Sequence, residues 1–161
     1  MEGKLTHIDK SGRAKMVDVG EKEVTKREAT AQAIIAMKPE TLTLIKQGNI
    51  KKGDVLAVAQ VAGVMSSKRT PDLIPMCHPL LINGVDFEFD IDNERSKIII
   101  RATVRVSGKT GVEMEALTAV SVAALTVYDM CKAVDRAMTI SDICLLKKSG
   151  GKSGIYERDA D

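Results

Sequence analysis

Tryptophan is missing from this 161-residue chain, and phenylalanine and tyrosine occur twice each, so its interior cannot be built on large rings. Val, Ile, Leu, Ala and Met must fill the core instead, and residues this small let helices approach closely. Cysteine is also scarce. Cys77, Cys131 and Cys144 are odd in number and show no Cys-x-x-Cys spacing, which argues against a disulfide framework and a zinc knuckle and points to a reducing cytoplasm. His7 and His78 are the only histidines, too few for a His-rich metal site. Neither sign of charge prevails: 24 Lys and Arg face 22 Asp and Glu, and a net charge of +2 is too weak for a nucleic-acid footprint. Long apolar runs are lacking as well. The opening residues, MEGKLTHIDKSGRAK, have no signal-peptide core, and the uncharged run from Ala116 to Tyr128 is too short for a bilayer. The composition describes a soluble cytoplasmic protein with neither a membrane nor a nucleic acid as partner.

With 44% hydrophobic residues, the chain is the size of a single domain spanning 1–161 and can bury about 70% of its unfolded surface without staples. Its polar, Gly-bearing ends, about 1–12 and 148–161, read as flexible. From Ala29, the residues Ala29, Ala31, Ala33, Ile35 and Met37 recur with a period of two and predict a strand. Pro39 opens a short helix to about Gly48, and a second helix fills the region from Asp54 toward Lys68. Pro71, Pro75 and Pro79 then predict a stiff irregular loop holding Met76, Cys77 and His78. A hairpin follows. Val85, Phe87, Phe89 and Ile91 alternate with acidic residues on one strand, and Ile98, Ile100, Ala102, Val104 and Val106 alternate with Arg101, Thr103 and Arg105 on the other. Acids and arginines can pair across the solvated face. A long apolar helix between Gly111 and Met138, and a last strand around residues 143–146, complete the order. Strand, helices, strand, strand, helix, strand is an α+β arrangement: a ferredoxin-like antiparallel sheet with helices packed on one face.

The long helix carries the candidate chemistry. Glu113 and Glu115 precede its uncharged run, while Asp129 and Lys132, three apart on one face, follow it. Glu115 and Asp129 stand roughly 21 Å apart along the axis at 1.5 Å per residue, so one small reacting centre cannot touch both. Either they serve different jobs, or two copies of the helix run antiparallel across a subunit interface and bring Glu115 of one beside Asp129 of the other. Desolvation at a Val-, Met- and Ala-rich helix end should shift the proton affinities of Asp129 and Lys132 toward useful values; a plain structural ion pair fits the same pattern.

Other segments are less specific. Gly108-Lys109-Thr110 and Gly151-Lys152-Ser153 lack the glycine five positions upstream that a Walker loop requires. The first still feeds a helix N-terminus, where free N–H groups and a cation can hold a phosphate, or simply start a helix. Cys77 and His78, adjacent in an extended segment, should point to opposite sides and make no nucleophilic dyad. His78 reads as a satisfied, partly buried histidine, or as a phosphate donor or proton carrier. Lys52 and Lys68 add cations near turns and would each pass for solvated surface. The tail KKSGGKSG, with Lys148 and Lys152, has the backbone freedom and charge of an anion clamp, features that disordered tails share.

Taken together, LTHID and MVDV near the start, KGDV from Lys52, KRTPDLIPMCHPL from Lys68, GKTGVEMEALTAVSVAALTVYDMCKAVD from Gly108 and KSGGKSG from Lys148 resemble the cyclic pyranopterin monophosphate synthases of molybdenum-cofactor biosynthesis, the molybdenum cofactor biosynthesis protein C family. The resemblance spans nearly the whole chain. It implies a ferredoxin-like subunit in a homohexamer, a trimer of dimers with active sites at the dimer interface. It also implies a lyase that converts (8S)-3′,8-cyclo-7,8-dihydroguanosine 5′-triphosphate to cyclic pyranopterin monophosphate and diphosphate. By motif position, Asp129, Lys132 and Lys52 would be catalytic, and Met76, Cys77, His78, Met114 and Glu115 would bind substrate; Glu113 is expected beside them, and Lys68, Lys148 and Lys152 are expected to bind the triphosphate. No cofactor is required by such a reaction, although Mg2+ could accompany the triphosphate. Two other classes compete. An RNA- or nucleotide-binding module on the same fold would need exposed aromatic residues, yet Phe87 and Phe89 read as core. A purely structural oligomer leaves the Lys, Asp, Glu and His residues near turns without a purpose.

Overall fold

The computed structural model describes residues 6–159, so Leu5 of the LTHID segment and the outermost residues of both ends lie outside the described residues. The elements run β1 (Thr25–Ala36), α1 (Pro39–Lys46), α2 (Val55–Ser67), α3 (Thr70–Leu73), β2 (Ile82–Asp92), β3 (Lys97–Gly108), α4 (Glu113–Cys131), β4 (Thr139–Ser149) and β5 (Tyr156–Glu157). They form one antiparallel sheet in the order β2-β3-β1-β4-β5. The first four of these strands have the ferredoxin-like order expected from the alternation of elements, and α4 packs on β1, β3 and β4 with α2 packed on α4.

Period-two alternation decides which face of the sheet is covered. Ala31, Ala33 and Ile35 of β1 and Ile98, Ile100, Ala102 and Val104 of β3 are fully buried. The residues between them, such as Glu28, Thr30, Arg101 and Arg105, lie on the other face. There Arg105 pairs with Asp86 and Glu28, the acid–arginine pairing expected of the hairpin. Alanine on β1 meets alanine on α4, where Ala116, Ala119, Ala123 and Ala124 are fully buried. Small residues on both surfaces bring helix and sheet together closely, which is how the core closes without large rings. Phe87 and Phe89 stack at 5.9 Å and pack against this core, as their alternation predicts. Asp54 caps α2 by accepting the Ala57 N–H at 3.0 Å, and Pro39 starts α1 in the turn where no N–H is needed.

The expected elements needed four corrections. The proline-rich segment is not wholly irregular: Pro71 sits in the first turn of α3, where its missing N–H costs nothing, and the chain becomes irregular only after Ile74. The long helix stops at Cys131 instead of continuing toward Met138: past it, the Val134 N–H bonds only three residues back, to the Cys131 carbonyl, in the tighter turn common at helix ends. The last strand is longer than the 143–146 alternation indicates, and register shifts opposite Thr30/Ala31 and Gln32/Ile34 break its period, leaving Ile143 46% exposed. Part of the tail pairs back on β4 as β5, a two-residue strand too short to signal itself. By length and mean hydropathy (1.3), α4 would pass for a membrane span, yet it is the central helix of the core.

Candidate functional site

Two groups of the candidate side chains sit at opposite ends of α4. At its N-terminal end, the loop after α3 brings Met76, Cys77 and His78 to a cleft of about 470 Å³ whose other wall is Glu113, Met114 and Glu115. Six of the residues singled out by sequence therefore meet in one place. Val112, the N-cap, makes no side-chain cap hydrogen bond to the first turn of α4. Glu113 folds back over Gly111 so closely that a Cβ on Gly111 would lie 2.0 Å from its Oε2.

Glu115 is 3% exposed and makes no side-chain hydrogen bond to another described residue. Burial pushes its carboxyl up to about 7, opposed in part by a bond from its own backbone and reinforced to a lesser degree by the charge of Glu113. At neutral pH, Glu115 is thus a carboxyl that can give or take a proton. Burial and the nearby Glu115 also push the Cys77 thiol up, so it stays protonated. Cys77 and His78 both line the cleft. No hydrogen bond joins them among the described residues, and a thiol held protonated is a poor nucleophile.

At the C-terminal end of α4, Asp129 lies between two ammonium groups. Lys132 reaches its Oδ1 at 2.7 Å, and Lys52, from the loop between α1 and α2, reaches its Oδ2 at 2.9 Å. Lys52 also donates to the Asp129 carbonyl at 3.0 Å, satisfying one of the open carbonyls at the helix end. The Lys132 hydrogen bond, then that of Lys52, brings the Asp129 carboxyl down to about 2, and Asp129 in turn raises Lys132. The cause is not the desolvation expected from the apolar helix end. Side-chain exposures of 50–56% leave these groups wet in the single chain, and paired charges move their affinities instead.

The remaining cations spread out. Lys68 caps the end of α2 and makes no side-chain hydrogen bond among the described residues. Lys148, at the end of β4, donates to the Ser153 hydroxyl. Lys152 lines a depression with Lys22, Thr25 and Arg27, and Lys22 lines the Glu115 cleft as well. The Gly108-Lys109-Thr110 turn is committed to structure: Arg27 donates to the carbonyls of Gly108 and Lys109 at 3.0 and 3.1 Å, and Lys109 donates to the Gly20 carbonyl. Sequence reasoning did not single out Lys22 and Arg27, which look like ordinary surface charge and line the Lys152 depression together with Gly151 and Ser153 of the tail. Among the described residues, no cluster of three His, Cys, Asp or Glu side chains could hold a metal ion.

Comparison with known proteins adds an independent line. The model of the MoaC family matches residues 16–151. The cyclic pyranopterin monophosphate synthase of Thermoanaerobacter pseudethanolicus is 66% identical over 155 residues, covering 96% of this chain and 98% of that protein. Proteins of the same name from Peptoclostridium acidaminophilum and Clostridium acetobutylicum are 63% and 61% identical, each matching 96% or more of both chains.

Proposed function

The chain belongs to the MoaC family, and on that premise we propose that it is a cyclic pyranopterin monophosphate synthase acting in molybdenum-cofactor biosynthesis. The substrate is (8S)-3′,8-cyclo-7,8-dihydroguanosine 5′-triphosphate, and the products are cyclic pyranopterin monophosphate and diphosphate. The observation that carries this reading is the convergence of Met76, Cys77, His78, Glu113, Met114 and Glu115 on one cleft, with Lys52 and Lys132 both bound to Asp129 at the other end of α4.

Such a reaction makes two demands: proton transfers that rearrange the purine-derived ring, and closure of a cyclic phosphate while diphosphate leaves. In this reading, the cleft takes the heterocycle, and Lys132 carries the proton at the ring. Asp129, a weak base with its carboxyl near 2, keeps Lys132 charged and aimed. Lys52, His78, Lys68, Lys148 and Lys152 neutralise the triphosphate, and stabilising charge on the leaving diphosphate lowers the barrier. The chemistry requires no redox cofactor, and Mg2+ riding on the triphosphate is compatible with it.

The assembly belongs to the same proposal. The two ends of α4 are roughly 21 Å apart, so a single chain cannot offer both to one ring. A second copy laid antiparallel would close the site, within a hexamer built as a trimer of dimers in the cytoplasm. An exposed apolar face supports this: Val61 and Met65 on α2 and Leu125 on α4 are 54–59% exposed. The direct experiment offers the cyclised triphosphate to wild-type protein and to Lys132→Ala, following diphosphate and pyranopterin together. Both products from wild type and neither from the variant are expected. Tight binding with no product would instead describe a nucleotide-binding module.

A further inference from the structure

Asp135 is a carboxylate 1% exposed that none of the chemistry above uses. Its Oδ2 accepts the Lys38 backbone N–H at 2.9 Å and the Thr41 hydroxyl at 3.1 Å, and its Oδ1 accepts the Ala137 N–H at 3.1 Å. These donors, the Lys38 N–H foremost, hold the carboxyl below its ordinary range, so the buried group is a charge. Removing a charge from water is costly, and it persists only where its bonds are complete. Lys38 is the N-cap of α1 and has no side-chain cap of its own. A residue nearly a hundred positions later therefore caps α1, with the positive end of the helix toward the carboxylate.

The position of Asp135 in the chain gives this bond a second consequence. It lies three residues past Lys132, in a turn closed by the Val134 and Asp135 N–H bonds to the Cys131 carbonyl and by the Tyr128 hydroxyl bond to the Arg136 carbonyl. The segment whose start it grips, α1, runs on into the loop that carries Lys52. Asp135 thus joins the two stretches of chain that bring Lys132 and Lys52 to opposite oxygens of Asp129. We propose that Asp135 is a positioning residue for the Lys52–Asp129–Lys132 cluster: by locking the start of α1 to the end of α4, it sets where the two ammonium groups stand relative to the carboxylate. Its kinetic consequence rests on the synthase reading; its geometric consequence does not.

The test is Asp135→Asn, which keeps the shape but loses the charge and turns an amide donor toward backbone N–H groups. Lysine-labelled NMR follows the titration of Lys132, its signal assigned by its loss in Lys132→Arg. The groups facing it are Asp129 and Tyr128 on α4, with Lys52 across the carboxylate. In the folded variant, the Lys132 midpoint should fall toward that of an ordinary lysine, and kcat should drop on the order of 10- to 100-fold with little change in KM. A merely stabilising role would move the unfolding midpoint and leave both readouts in place. An unchanged Lys132 midpoint, or a changed one with wild-type kcat, overturns the proposal. Should wild type show no turnover, the synthase reading fails and the titration alone decides. Should Asp135→Asn not fold, Thr41→Val removes one donor and keeps the charge; it should move the Lys132 midpoint in the same direction by less, and no movement overturns the proposal.

Discussion

Glu115 releases its proton late, because burial and the neighbouring Glu113 both oppose its charge. In the unfolded chain it titrates near the ordinary 4.5, while the folded protein holds the proton to about 7. Between those values, the folded state binds more protons than the unfolded one, so stability falls as pH rises through the window, by roughly 1–3 kcal/mol in all. Glu115→Gln should remove that slope and be the more stable protein at pH 8. Urea unfolding at pH 5 and pH 8 checks it, and a slope of the same size in the variant would assign the effect to another group. The sequence marked Glu115 as a polar residue at the start of an apolar helix. Its proton affinity could not be read there, since it depends on a burial that only the folded chain provides. Asp129 shows the reverse error: an apolar neighbourhood predicted desolvation, whereas Lys52, brought from another part of the chain, dominates with Lys132 through direct bonds.

Among the elements, α2 and α4 meet at Gly63. A Cβ there would lie 2.2 Å from Phe87 Cζ and 3.0 Å from the Ala119 carbonyl oxygen. Helix propensity alone favours Gly63→Ala by about 1 kcal/mol. Overpacking against a ring and a backbone oxygen should outweigh it, for a net loss of about 1–3 kcal/mol. Adding Phe87→Leu to that variant should recover part of the loss, and urea midpoints of the single and double variants decide it; a neutral or stabilised Gly63→Ala would mean that the ring moves freely. Local pattern placed β1 and the hairpin through their period of two, and α1 and α2 through Pro39 and Asp54 at their starts. It failed where a third partner sets the geometry. The end of α4 depends on the turn that Asp135 closes, and the period of β4 depends on bulges against β1.

At the scale of the whole molecule, the proposed reaction requires two chains to bring opposite ends of α4 to one substrate. Separately inactive Glu115→Ala and Asp129→Ala subunits, mixed and reassembled, should regain a fraction of wild-type turnover if each site takes one end of α4 from each of two chains. Native mass spectrometry establishes that mixed oligomers formed, and mixed oligomers that remain inactive would place the whole site in one chain. The exposed Val61, Met65 and Leu125 side chains mark the helical face on which such an assembly would close.

By itself the sequence determined the alternation that buries one face of the sheet, the α+β order of elements, and the residue types collected at each end of α4. Those are properties of near neighbours along the chain, written in periods of two and 3.6. It also contained every member of the Lys52–Asp129–Lys132 cluster, but not their contact, which joins a loop before α2 to the last turn of α4. Only the tertiary structure decided that Cys77 and His78 share a cleft with Glu115, that Asp129 is held ionised by two cations, and that Asp135 anchors α1. Burial and charge pairing depend on groups far apart in the chain, and the packing of α4 between the sheet and α2 is what brings those groups together.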